Sequence, residues 1–360
     1  MGAVDPRVTE YARLIVERSL DVQPGWQVLI RTQPDARPVI EELVRMIAAR
    51  GAYPLLRMNF TLFPCDEPWS AEAPPELVGS IAPIDLYACD HMDARITVEA
   101  PDNTRGVSQV TAERRALMKQ ASAPFFRRTM ADEIPWVGCH FPTNALAQEA
   151  GMPLAAFEDF FYDACLRDWD TETKAMLRLL ERFDAADEVR IVGDETDLRL
   201  SLAGRTGEAD DGRVNLPGGE FFFAPVEDSA DGTAYLDVPT LFEGAAVSGI
   251  RFTFRKGRIE EASAEEGEAE LLAALDLDEG ARFVGELGIG CNTAITQPMR
   301  NILFDEKMAG TIHLAVGASY PKVGGKNVSS LHWDLIKDLR NGGRIELDGE
   351  VVQENGSWLI

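Results

Sequence analysis

The sequence predicts an α/β protein with an N-terminal domain built on a parallel sheet and a second, strand-rich domain of mixed α/β structure. A strand–helix–strand succession occupies the first 60 residues, and that order is typical of parallel α/β sheets. Beyond about residue 185, short apolar segments separated by Gly and Asp turns replace the alternation. Because 360 residues exceed one ordinary core, we expect two domains, residues 1–185 and 186–360.

Helices and strands alternate through the first domain. The first helix begins at Asp5-Pro6, because Asp caps a helix and Pro fits its first turn. Gly51 is expected to end the second helix. The remaining predictions are strands at 26–31 and 53–58, a helix at 37–50, strands at 85–90 and 94–99, a helix at 112–130, a strand at 135–138, and helices at 145–151 and 154–182.

The second domain favours strands. Gly and Asp turns bound short runs with strand-forming composition. The predicted elements are strands at 188–192, 197–202, 249–255 and 311–316, helices at 262–275 and 301–307, and a terminal hairpin from 344–349 and 351–358.

Charge and composition limit the classes of molecule that this protein is expected to bind. The net charge of -25 disfavours nucleic acid, because phosphate binding requires clustered Lys and Arg. No apolar run reaches the roughly 18 residues of a membrane helix, and no secretory signal is visible, so we expect a cytoplasmic protein without a membrane partner. The five cysteines form no CxxC pair, which disfavours a disulfide framework and excludes a zinc ribbon.

Two of the four histidines lie within twenty residues of each other near the C-terminus. His332 and Asp334 are separated by one residue, and alternate residues of a strand point to the same face. An imidazole and a carboxylate would therefore project side by side, with Trp333 on the opposite face. A strand can present two metal ligands in this way.

Three further residues are candidates for the same site. His313 lies in an apolar strand segment, Glu220 follows Pro217-Gly-Gly219 and precedes an aromatic run, and Glu286 is the one charge in a Gly-rich apolar segment. A buried carboxylate requires a partner or a metal, and His with carboxylates suits a divalent transition metal. The alternatives are a hydrogen-bonded core histidine and a solvated turn glutamate. Tyr320 either stabilises an oxyanion or packs in a loop.

These segments together resemble the M29 family of metallo-aminopeptidases. The motifs that carry the resemblance lie mainly in the second half of the chain. These second-half motifs are Asp210-Asp-Gly-Arg213, Asn215-Leu-Pro-Gly-Gly-Glu220, Ala224-Pro225, Glu286, the segment from His313 to Tyr320, and His332-Trp-Asp334. Further matching segments lie in the first half, at 136–138, 142–143 and 147–152.

The resemblance implies a two-metal exopeptidase, usually dimeric, that removes N-terminal amino acids from peptide substrates. It implies that two divalent ions, Zn, Co, Mn or Mg, are bound and that Tyr320 is catalytic. Glu286 is the expected bridging carboxylate, and either Glu286 or an unassigned acid is the general base. The implied metal ligands are Glu220, Glu286, His313, His332 and Asp334.

Three departures from the family pattern bear on substrate preference. Phe222 and Phe223 replace a smaller, more polar stretch, the segment between His313 and His332 is short, and the whole chain is shorter than typical members. One alternative is a mononuclear iron ring-cleaving dioxygenase on the same scaffold, with two histidines and a carboxylate as ligands. The other is a non-enzymatic α/β binding protein. Five candidate ligands favour the two-metal enzyme.

Overall fold

The chain divides into two compact units. A computed structural model describes residues 5–60, 67–106, 110–130, 133–242 and 244–360. Unit 1 comprises Met1–Leu166 with Gly212–Pro217, and unit 2 comprises Arg167–Asp211 with Gly218–Ile360. The boundary predicted near residue 185 therefore falls inside unit 2. The reason is a helix at Trp169–Asp184 whose Phe183 ring packs 5.0 Å from the ring of Phe221, in the core of unit 2.

Helices are concentrated in the first half of the chain. A π-helical turn at Leu14–Ser19 continues the first of them. The helices are α1 (Pro6–Arg13), α2 (Arg37–Ala49), α3 (Glu67–Glu72), α4 (Pro75–Val78), α5 (Pro83–His91), α6 (Ala112–Met130), α7 (Asn144–Glu149), α8 (Leu154–Cys165), α9 (Trp169–Asp184), α10 (Glu268–Leu275) and α11 (Ile302–Asp305).

Strands dominate the second half, as the sequence predicts. The strands are β1 (Gln27–Thr32), β2 (Tyr53–Met58), β3 (Ala94–Glu99), β4 (Trp136–His140), β5 (Glu188–Gly193), β6 (Thr196–Ser201), β7 (Glu208–Asp210), β8 (Asn215–Leu216), β9 (Glu220–Phe223), β10 (Asp231–Leu236), β11 (Thr240–Phe242), β12 (Ala245–Val247), β13 (Ile250–Arg255), β14 (Arg258–Ser263), β15 (Val284–Gly290), β16 (Thr311–Gly317), β17 (His332–Asp338), β18 (Arg344–Leu347), β19 (Glu350–Glu354) and β20 (Ser357–Trp358).

The structure corrects two predictions, one within unit 1 and one where the chain passes from unit 1 into unit 2. Residues 85–90, predicted as a strand, belong to helix α5, because Pro83 starts the first turn and Tyr87 stacks on His91 one turn later at 3.9 Å. Residues 154–182, predicted as one helix, form α8 and α9. The second helix begins anew because the Asp168 side chain accepts a hydrogen bond from the backbone N–H of Thr171.

One prediction in unit 2 is corrected in part. The helix expected at 262–275 is confirmed from Glu268 to Leu275 only. Its first residues belong to β14, where Ser263 pairs with Arg251 of β13 in antiparallel register. Ladder hydrogen bonds therefore hold the backbone of these residues as a strand.

The sheets confirm the predicted α/β class. Unit 1 contains a parallel sheet in the order β2-β1-β3-β4-β8. Unit 2 contains an antiparallel sheet of eight strands, β14-β13-β10-β6-β5-β18-β19-β20, and one of five strands, β17-β16-β15-β9-β7. The strands predicted at 188–192, 197–202, 249–255 and 311–316 correspond to β5, β6, β13 and β16, whereas others, such as β10, are not predicted. The sequence also gives no order for the strands. Among the described residues, none of the helices combines the length and apolar character that crossing a bilayer requires.

Candidate metal centre

The five-stranded sheet of unit 2 separates an apolar face from a polar face. Alternate residues on its strands, including Phe221, Leu287, Leu314 and Trp333, point into the buried core. The strand register pairs His313 with Gly288 and Asp334 with Ala315. These four residues alternate with the apolar ones, so they lie on the opposite, polar face. Four neighbouring strands of this sheet, β9, β15, β16 and β17, each place a candidate residue on the polar face.

Glycine makes room for His313 on the polar face. Gly288 lies directly across from His313, and a Cβ at Gly288 would lie 1.9 Å from Cε1 of the imidazole ring. No L-residue other than glycine fits at that distance. The ring therefore lies flat over β15 and is fully buried, with an exposed fraction of 0%.

Glu286 lies between the two histidines. Its Oε1 is 3.1 Å from Nε2 of His313, and its Oε2 is 3.8 Å from Nε2 of His332. The carboxylate is 5% exposed, so the partner that the sequence requires for this isolated charge is His313. Each oxygen of one carboxylate thus faces a different imidazole.

His332 and Asp334 project together, as the strand spacing predicts. The Nε2 of His332 is 3.6 Å from Oδ1 of Asp334, which is also 4.0 Å from Nε2 of His313. The Nδ1 of His332 lies 2.9 Å from the carbonyl oxygen of Ala318. A backbone carbonyl accepts a hydrogen bond, so Nδ1 carries a proton and Nε2 faces the carboxylates, where it could bind a metal ion.

Glu220 opens a second cluster beside the first. Its Oε2 lies 3.7 Å from Nε2 of His313, and its Oε1 accepts a hydrogen bond of 3.0 Å from Nζ of Lys307. The Gly219 that precedes it adopts φ +113°, and a Cβ there would lie 2.7 Å from Cβ of Asn292. The glycine expected to permit a close approach of the backbone does so against Asn292.

Two residues that sequence reasoning missed complete this cluster. Glu306 follows helix α11, and Lys307 donates a short hydrogen bond to its carboxylate. The Nζ of Lys307 also lies 3.7 Å from Oδ2 of Asp210, and the lysine is 0% exposed. The available signal was the Glu-Lys pair itself, which looks like the end of a solvated helix. Only the tertiary fold shows that it turns inward.

Tyr320 lies at the edge of the same face. Its ring centroid is 5.2 Å from that of His332, edge to face, and 5.6 Å from that of Phe222. Burial raises the pKa of its phenol, and the charges of Glu286 and Asp334 raise it further. Tyr320 therefore keeps its proton at neutral pH and can donate a hydrogen bond.

Burial and charge shift the pKa values of the cluster. Burial raises the pKa of Glu220 to about 7, against the opposing effect of the Lys307 ammonium. Burial alone would lower the pKa of His313, but its hydrogen bond to Glu286 and the nearby carboxylates outweigh burial and raise that pKa to about 10. The pKa of His332 is raised by Asp334 and Glu286, again against burial. The cluster therefore holds protons tightly.

The donors fit divalent cations. Oε2 of Glu220 and Oε2 of Glu286 are buried without a hydrogen-bond partner in the described part of the chain, and Nε2 of His313 lies 3.7 and 3.1 Å from the carboxylates of these two residues. Two triads have ligand atoms within 4.8 Å of one another, Glu220–Glu306–His313 and Glu286–His313–Asp334. Nitrogen and carboxylate donors at that spacing match transition-metal coordination. All five metal ligands implied by the resemblance meet on this face, with Glu306 in addition.

A buried cluster of carboxylates and histidines on a mixed α/β scaffold fits a metalloenzyme. The chain belongs to the M29 family of metalloproteases, because the model of that family, described as thermophilic metalloprotease (M29), matches residues 4–358. It is therefore a metal-dependent peptide hydrolase. The resemblance read from the sequence motifs is confirmed.

Two curated relatives agree with this membership, and two solved structures share the fold. Aminopeptidase AmpS of Bacillus subtilis (strain 168) is 25% identical over 100% of both chains, and Aminopeptidase T of Thermus thermophilus is 31% identical over 52% of this chain and 51% of its own. The structure of wild-type AmpT from Thermus thermophilus superposes with a TM-score of 0.86 at 22% identity, covering 99% of this chain and 100% of the other. 2,5-Dihydroxypyridine dioxygenase from Pseudomonas putida KT2440 shares the fold at a TM-score of 0.60 and 13% identity, covering 98% and 96% of the two chains.

Metal binding should release protons at neutral pH. The metal-free cluster carries a proton on His313, whose pKa is about 10, and part of one on Glu220, whose pKa is about 7. Metal ligands must be deprotonated, so we expect about one or more protons released per chain at pH 7, and an apparent metal affinity that falls as pH falls. Calorimetric titration of metal into metal-free protein, in two buffers of different ionisation enthalpy, measures this number.

The matched control for that titration is a histidine outside the cluster. His91→Gln should leave the proton count unchanged, because His91 is exposed and stacks on Tyr87. His313→Gln should lower both the count and the affinity. An affinity that rises as pH falls below 7 would contradict the proposed ligands.

Proposed function

We propose that this metal-dependent aminopeptidase binds two divalent cations in the cluster of Glu220, Glu286, Glu306, His313, His332 and Asp334 and releases amino acids from the N-termini of peptides. The observation that carries the proposal is the position of Glu286. Its two oxygens face two different histidines, at 3.1 and 3.8 Å. A carboxylate so placed suits a bridge between two cations rather than a ligand of one.

The charge of the cluster supports two cations. Five carboxylates meet one ammonium, that of Lys307, when both histidines are neutral. Four negative charges remain, and two divalent cations neutralise them. A single divalent ion would leave two buried negative charges uncompensated. Each such charge costs several kcal/mol of free energy. The five carboxylates are Asp210, Glu220, Glu286, Glu306 and Asp334.

The ligand number also distinguishes the enzyme classes. A mononuclear iron oxygenase uses two histidines and one carboxylate, with open positions left for substrate and oxygen. Here six candidate donors converge, four of them carboxylates. The shared fold of the pyridine dioxygenase concerns the scaffold alone. Family membership and ligand number favour peptide hydrolysis.

Bound divalent ions would polarise the scissile carbonyl and lower the pKa of a water molecule. The other contributions come from side chains. Tyr320 retains its proton and sits beside His332, so its phenol can donate to the oxyanion that develops on the carbonyl. The Ala318 carbonyl fixes the His332 ring, and Lys307 fixes the Glu220 and Glu306 carboxylates. The site is thereby ordered before substrate binds.

The free amino terminus of a peptide can bind a metal ion through its lone pair or donate hydrogen bonds to a carboxylate of the site, and an acylated terminus cannot. Relatives named aminopeptidase support this end specificity. Phe222 and Tyr320 form an apolar edge to the site, with ring centroids 5.6 Å apart. We therefore propose a preference for peptides whose first residue is apolar. The homodimer and the cytoplasmic location remain predictions from the sequence.

End specificity is tested with matched substrates. The metal-loaded enzyme should release p-nitroaniline from leucine p-nitroanilide and not from its N-acetyl derivative, because acetylation removes the charge of the amino group. Rates are followed by absorbance at equal substrate concentration. Equal rates on both substrates would contradict an aminopeptidase and indicate an endopeptidase or an esterase-like hydrolase.

Tyr320→Phe should lower kcat on the order of 10²–10³-fold, because removing one oxyanion donor typically costs that much. kcat/KM should fall by the same factor, and the bound metal should stay at the wild-type level. The matched control is Tyr235→Phe, a tyrosine on β10 that contacts Arg251 instead. A kcat within a few-fold of wild type for Tyr320→Phe would remove Tyr320 from the catalytic residues.

A further inference from the structure

Lys307 lies inside the acidic cluster of unit 2. The residue is 0% exposed, and its Nζ lies 3.0 Å from Oε1 of Glu220 and 3.7 Å from Oδ2 of Asp210. It also donates a short hydrogen bond to the carboxylate of Glu306. An ammonium has three N–H donors, and here three carboxylates surround it. A buried ammonium with these neighbours keeps its positive charge.

The backbone of Lys307 is held on two sides. Its carbonyl oxygen accepts a hydrogen bond of 2.8 Å from the backbone N–H of Asn292, and its own N–H donates one of 3.0 Å to the carbonyl oxygen of Phe304. A Cβ at Gly290 of β15 would lie 3.0 Å from the carbonyl carbon of Lys307, so the two backbones are in close contact. The base of the side chain is therefore fixed, which limits how far the ammonium can move when a cation enters the cluster.

The ammonium lies on one side of the cluster. Its partners Glu220 and Glu306 belong, with His313, to one of the two triads whose ligand atoms lie within 4.8 Å of one another. The other triad joins Glu286 and Asp334 to the same histidine, and these two carboxylates face imidazoles, at 3.1 to 4.0 Å. A cation held by the first triad would therefore share its carboxylates with a fixed positive charge.

Sharing carboxylates with an ammonium weakens a cation site in two ways. The ammonium engages Oε1 of Glu220 and Oε1 of Glu306, which leaves one oxygen of each carboxylate for a cation. It also repels a divalent cation, and this repulsion is strong in a buried site, where solvent and salt do not screen it. A deprotonated imidazole does neither, because it is a neutral donor.

We propose that Lys307 makes the two cation sites unequal in affinity. The cation held through Glu286 and Asp334 binds more tightly, and the cation held through Glu220 and Glu306 is the first to leave when free metal becomes scarce. Lys307 is thereby a positioning residue that sets how much free metal the enzyme requires for full loading. The inference rests on the proposed two-cation function and adds the order in which the cations bind.

The order of binding is tested by titrating Mn²⁺ into metal-free protein and measuring the free ion by its electron paramagnetic resonance signal. The wild-type chain should bind two ions, with the second Kd about tenfold or more above the first, which corresponds to about 1.4 kcal/mol or more. Lys307→Met removes the charge and keeps most of the side-chain volume. In this variant the weaker Kd should fall by about tenfold or more, because the repulsion is gone, while the tighter Kd changes far less.

Three further variants separate charge from structure. Lys307→Arg keeps the positive charge, so the weaker Kd should stay close to the wild-type value. Lys337→Met is the matched control, because Lys337 is a buried lysine of unit 2, 2% exposed, that pairs with Asp237 at 2.7 Å. It should leave both Kd values unchanged. Glu306→Gln should lose the weaker ion and keep the tighter one, and it assigns the sites even where the Lys307 variants do not fold.

Four results would overturn the inference. They are two ions of equal affinity in the wild-type chain, a weaker Kd that is unchanged or raised in folded Lys307→Met, an equal fall of that Kd in Lys307→Arg, and loss of the tighter ion in Glu306→Gln. Each of these leaves the two-cation site itself intact. One ion per wild-type chain at saturation would instead contradict the proposed function, and the inference with it.

Discussion

Compensation of buried negative charge is the constraint on which the second unit depends. Glu220, Glu286 and Asp210 are each no more than 6% exposed, and Glu306 and Asp334 lie beside them. Carboxylates buried at this density repel one another and lose their hydration. Lys307 and two imidazoles offset part of that cost. The remainder explains why burial raises the pKa of Glu220 and of Glu306, and why the cluster favours bound cations.

The sheet meets this constraint through small residues. Gly288 and Ala315 lie across from the functional side chains on neighbouring strands, so the ligands converge without displacing the backbone. The opposite face carries large apolar residues such as Phe221 and Phe223, which anchor the sheet in the core of the unit. A rigid core on one face and an open polar face on the other hold the donors in place before metal binds.

The sequence alone predicts those features of the site that depend on the spacing of neighbouring residues along a strand. The two-residue spacing of His332 and Asp334 predicts a shared strand face, and the isolated charge of Glu286 predicts a buried partner; both agree with the structure. Glu306 and Lys307 escape prediction because a Glu-Lys pair after a short helix resembles a solvated helix end. Only tertiary packing turns it inward. The break between α8 and α9 escapes prediction for a different reason, since a single Asp168 cap divides one continuous helical pattern.

The count of bound metal ions tests the account most directly. Protein purified without chelator and analysed for metals should contain about two divalent ions per chain, because the cluster leaves four negative charges to neutralise. Glu286→Ala should lose at least one ion, whereas Glu260→Ala, an exposed acid on β14, should keep both. One ion per wild-type chain, or two ions retained in Glu286→Ala, would contradict a bridged two-metal centre.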